Sequence, residues 1–144
     1  MAGTNEQQAI TAATESAEWA ASKEHLKVEF ERIVLAGDAA VASFTVGSNQ
    51  RWIVPLEWNG REWDALGASI FDSQSRATRS VRPSEVRRSH WTVVAAGFAP
   101  LEATRAIVYF AGRDHEVPVV SGLYMFAAAV DRKPEDAPKL VRIE

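Results

Sequence analysis

A chain of 144 residues with 47% hydrophobic and 24% charged side chains is long enough to bury a core, and its composition excludes wholesale disorder. It contains no cysteine, which excludes disulfide frameworks, thiolate metal sites and thiol catalysis. The net charge of −3 is unevenly spread, with five basic and ten acidic side chains in residues 1–71 against eleven and nine in residues 72–144. That is not the footprint of a generally basic nucleic-acid binder.

The opening residues, Met1 to Ala21, lack both a basic region and an apolar core of the kind a signal peptide needs. As written, the chain reads as a soluble cytoplasmic protein without a membrane span; as an excised part of a longer chain it would fit a cell envelope. Arg outnumbers Lys by twelve to four, and Ala and Val are abundant. This points to GC-rich coding and a bacterial source.

The first predicted element is a helix to about Glu24. Thr4 and Gln7 fit a capping box, and no Pro interrupts the Ala-rich run that follows. Ile10, Ala13, Ala17, Ala20 and Ala21 share one face at helical spacing, with Trp19 near its edge. Such a shallow stripe suits close approach to a sheet or to a second subunit. From His25 the period changes to two. Leu26, Val28 and Phe30 alternate with charged residues, and the apolar phase then shifts to Ile33 and Leu35, which predicts a β-bulge near Glu31–Arg32. Gly37–Asp38 turns the chain into a strand through Ala40, Ala42, Phe44 and Val46, and Gly47–Ser48–Asn49 turns it again into Arg51–Trp58.

Asn59–Gly60 predicts a two-residue type I′ hairpin. That register sets Trp58 against Arg61, Leu56 against Trp63, and Glu57 against Glu62 on a wet face. Later strands are expected at Trp91–Ala96, Ala106–Phe110, His115–Val120, Leu123–Ala129 and Leu140–Ile143, with turns at Gly112–Arg113 and Ser121–Gly122. Eight or nine short strands favour an antiparallel β-sandwich, Ig-like, preceded by one N-terminal helix (residues 1–24 and 25–144). The alternative is an α+β fold whose curved antiparallel sheet wraps the helix, as in cystatin-like or NTF2-like domains.

Residues 72–90 read as a long Arg-rich loop that divides the chain into two halves. Arg76, Arg79, Arg82, Arg87 and Arg88 sit there against Asp72 and Glu85, a pattern suited to an anionic ligand or an acidic protein. No aromatic residue interleaves with them, so nucleic acid is not the expected partner. Trp52, Trp58 and Trp63 are the second candidate group, as core filling or as a pocket lining. His25, His90 and His115 have no metal-ligand spacing, and no catalytic or cofactor motif is present; neither a metal nor a cofactor is called for.

The segment Trp91–Ala129, with "GRDHEVPV" and "SGLYMFAA", resembles the Ig-like β-sandwich modules of bacterial envelope proteins, over less than a third of the chain. The resemblance implies a sandwich and no particular functional residue. The functional expectation is a non-catalytic binding or protein-interaction module, with the Ala-rich helix and the sheet edges as surfaces for a homodimer. The alternative is a small-molecule or catalytic pocket under a curved sheet.

Overall fold

The structure is a computed structural model that describes residues 2–47, 50–67, 69–71, 78–83 and 90–144. It is mainly β, with one N-terminal helix and two antiparallel sheets among the described residues. Its backbone contacts gather into two compact units, Met1–Ser75 and Arg76–Glu144. The helix therefore belongs with the first sheet, and the boundary falls inside the 72–90 stretch. No helix of the described residues is long and apolar enough to cross a membrane.

Unit 1 begins with α1 (Ala2–Ser22), so Thr4 lies within its first turn. The helix ends in a Schellman arrangement. The Leu26 N–H donates to the Ala21 carbonyl at 3.3 Å and the His25 N–H to that of Ser22 at 3.3 Å, with His25 left-handed at φ 56°. This reversal delivers the chain into β1 (Val28–Ala36), followed by β2 (Ala39–Val46), β3 (Gln50–Trp58), β4 (Trp63–Ala65) and β5 (Ser69–Phe71). The order is β1-β2-β3-β4, with β5 also on β3.

The ladder between β1 and β2 steps from Phe30↔Phe44 to Arg32↔Ser43, so Glu31 is the extra residue of the bulge that the apolar phase shift predicts. The kink aims the Glu31 carboxylate across the sheet. It accepts hydrogen bonds from Ser43 Oγ at 2.9 Å and from Arg51 Nη2 at 2.6 Å. One face of the sheet carries α1. Ala9, Ala13, Ala17 and Ala21 are fully buried against Ala42, Phe44, Trp52, Val54, Leu56 and Trp63. The helix supplies methyl groups and the sheet supplies rings, so bulk on one layer fits shallowness on the other.

The hairpin after β3 departs from the expected register. Its pairs are Trp58↔Trp63, Glu57↔Asp64 and Leu56↔Ala65, closed by a four-residue loop. Asn59 does not take a left-handed conformation. Its Oδ1 accepts the N–H groups of Arg61 at 2.8 Å and Glu62 at 2.9 Å, and its Nδ2 donates to Asp64 at 2.8 Å. The side chain replaces the tight turn. A shift of two keeps every residue on its face but changes every partner. Trp58 meets the Trp63 ring edge-on at 5.7 Å instead of Arg61. Glu57 is 1% exposed, not on a wet face, and its Oε2 has no hydrogen-bond partner among the described residues.

Unit 2 holds β6 (Thr78–Pro83), β7 (Trp91–Phe98), β8 (Arg105–Phe110), β9 (Arg113–Val120), β10 (Leu123–Val130) and β11 (Lys139–Ile143), in the order β11-β8-β9-β10-β7-β6. The strand β6 corrects the reading of residues 72–90 as one irregular loop, since six of them pair with β7 from Thr78↔Ala96 to Pro83↔Trp91. Neighbouring β7 supplies the ladder that the polar sequence of β6 does not advertise.

The strands β9 and β10 pair only at Val120↔Leu123 and Val119↔Tyr124 and then diverge, and the sheet curls. Val93, Ala95, Val108, Phe110, Val117, Tyr124 and Phe126 gather on one face as a core. Tyr124 lies over Gly97, where an added Cβ would stand 2.6 Å from its hydroxyl. The β11 ladder skips from Leu140↔Val108 to Arg142↔Ile107, leaving Val141 as a second bulge residue.

Candidate functional site

An opening lies within unit 2, between the β8–β9 turn and the segment joining β10 to β11. Phe110 pairs with Arg113, so the turn is Ala111–Gly112, one position earlier than expected, with φ of 55° and 81°. These are the signs of a type I′ turn, which usually carries Asn or Gly at its first position. An alanine there is strained and leaves a low wall. Opposite it, Pro134 and Pro138 punctuate the chain after β10, because a proline cannot donate to a ladder. Between the two walls is a cleft of about 620 Å³ lined by Tyr109–Gly112 and Val130–Ala137. That volume is within the range of small-ligand sites.

Phe110, which lines the cleft, belongs to a cluster of three aromatic rings. Phe110 and Phe126 meet edge-on at 5.7 Å, and His115 lies 5.1 Å from Phe126. The His115 Nε2 is 3.1 Å from the Phe110 carbonyl, and because a carbonyl only accepts, that nitrogen carries the proton. Phe110 is 4% exposed, whereas its neighbour Tyr109 is 46% exposed. One ring is fixed and the other is presented.

The charges of the second wall fall into two groups. Asp131 stands 3.6 Å from His90 Nδ1, and Lys133 lies 5.7 Å from the Trp91 ring centroid. Among the described residues, Arg132, Glu135 and Asp136 form no ion pair. A separate exposed network ties β8, β9 and β11, in which Arg105 engages both Glu116 and Glu144, and Arg142 Nε donates to Glu144 at 2.5 Å. The hydrogen bond from Arg142, then that from Arg105, holds the Glu144 carboxyl below the usual carboxylate range; the bond to Glu144 raises Arg105. This network joins strands and lies away from the residues that line the cleft.

The residues singled out from sequence are placed differently. Trp52 and Trp63 are 2% and 5% exposed in the core beneath α1, and Trp58 packs against that core. Trp63 Nε1 donates to Asn5 on the helix at 2.9 Å, and Trp52 Nε1 to Gln50 at 3.3 Å. Trp63 also borders a shallow groove of about 370 Å³ with Gln7, Thr11, Glu15 and Arg61. Arg79 and Arg82 are positions of β6, while Arg76, Arg87 and Arg88 lie outside the described residues. No group of three or more metal-ligating side chains occurs among the described residues.

Sequence reasoning missed the cleft. Its available signals were a run of both charge signs around a proline, Asp131 to Asp136, and a tyrosine next to last in an otherwise apolar strand, Ala106–Phe110. Compared with known proteins, the chain matches no family model, no curated protein and no solved structure.

Proposed function

We propose that this chain is a non-catalytic binding module and that its binding place is the cleft of unit 2. The observation that carries this reading is the juxtaposition of a half-exposed Tyr109 with the uncommitted charges of Arg132, Glu135 and Asp136 around one opening of about 620 Å³. An apolar body would rest on the ring while the charges orient it. The two-residue turn fixes one wall, so little ordering is required there when a ligand enters.

Titrating the ¹⁵N-labelled chain with benzoate and with benzylamine, followed by amide chemical shifts, tests the proposal. Saturable shifts confined to residues 109–112 and 130–137 are expected for at least one probe. Shifts that fail to saturate, or that gather elsewhere, would remove the cleft as the binding place.

A further inference from the structure

We infer that the cleft recognises a zwitterionic ligand of short-peptide size, with its carboxylate at Arg132 and its ammonium at Glu135 and Asp136. This rests on the binding reading above and adds the chemical class of the ligand. The segment across the cleft carries its free charges in order of sign, a cation at position 132 and two anions at 135 and 136, with Pro134 between. The charges already engaged are Asp131, beside His90, and Lys133, beside Trp91. What remains is a dipole along one wall.

Two residues lie between Arg132 and Glu135, so three peptide steps set a backbone span of at most about 10 Å. A tripeptide with free termini has the same reach, because the same covalent geometry sets it. Its middle side chain would fall at the level of the opposite wall, where Tyr109 presents a half-exposed ring. A purely anionic ligand would meet Glu135 and Asp136, and a purely cationic one Arg132. Each would face repulsion at one end. A ligand carrying both signs in opposite order meets attraction at both, which is discrimination by mismatch as much as by match.

The probe is alanyl-phenylalanyl-alanine with free termini, compared with the same tripeptide acetylated and amidated, in the ¹⁵N amide experiment at low and at physiological salt. Expected are saturable shifts at residues 109–112 and 130–137, a Kd on the order of 1 mM or tighter for the free form, and binding at least about 10-fold weaker for the blocked form. Arg132→Gln and Glu135→Gln should each weaken the free peptide by about 3- to 10-fold and leave the blocked form unchanged. Both positions are exposed, so neither change disturbs the fold. Equal binding of the two forms at the cleft, indifferent to both substitutions, would overturn the zwitterion inference and leave the cleft as an apolar binding place. Absence of cleft shifts with the tripeptide, benzoate and benzylamine alike would overturn both readings.

Discussion

Unit 1 builds its core between two kinds of element, whereas unit 2 builds its core from one sheet that curls on itself. In unit 1 the helix contributes four alanines and the sheet contributes the indoles of Trp52 and Trp63, so the layers are complementary in size. In unit 2, apolar residues of β7, β8, β9 and β10 share one face, and the curl brings their side chains together. A core of the first kind has the side chains that first drew notice but spends them on packing. A core of the second kind closes with strand ends and connections, and the opening appears there. The unit with more tryptophans buries Trp52 and Trp63 in its core, and the unit with fewer carries the cleft.

Substitutions can break this comparison. The largest effect is expected from Trp63→Ala, which removes a buried indole and strands the Asn5 acceptor. A loss of about 3–5 kcal/mol in urea denaturation is expected. A loss below about 1 kcal/mol would mean that the indole is not packed as core. The counterpart in unit 2 is Gly97→Ala, whose new methyl collides with Tyr124. About 1–3 kcal/mol of destabilisation is expected, with partial recovery when Tyr124→Leu is added. Full additivity of the two changes would show that the tyrosine does not set the constraint.

Smaller changes sharpen the picture. Ala111→Gly relieves a left-handed alanine at the cleft wall and should stabilise the chain by about 1 kcal/mol. A destabilisation in thermal melting would mean that the turn is not held at positive φ. The smallest effect concerns pH. Glu144 has its folded-state pKa depressed by Arg142 and Arg105, so its contribution is complete above the ordinary carboxylate pKa and disappears as pH falls through the depressed value. The Tm difference between the parent and Glu144→Gln should therefore be small near neutrality and shrink in acid. A difference that grows on acidification would contradict the sign.

Much of the fold was legible because its signals are local. The helix, the phase shift that marks the Glu31 bulge and the glycine turns each depend on a few adjacent residues. The hairpin after β3 was misread because Asn59 serves it through its side chain, which pairwise turn statistics do not distinguish from a left-handed backbone. That register pairs Glu57 with Glu62 instead of Asp64; the wet face fails for a separate reason, because Val41, Ser43 and Ile53 on the same face of the sheet are buried too. The strand β6 was invisible because only Val81 among its six residues is aliphatic; its pairing comes from β7. The cleft was the hardest to read, since its walls come from segments about twenty residues apart that only the curl of the sheet brings together.

The two bulges bear on how this chain behaves in a crowd of its own copies. Glu31 interrupts β1 and Val141 interrupts β11, and each of these strands ends its sheet. A strand arriving from another molecule could not keep one register past either kink, and it would meet Glu29 on β1 or Lys139 on β11. Fibrillar growth needs an uninterrupted template at every step. Two extra residues thus discourage strand addition at these two edges.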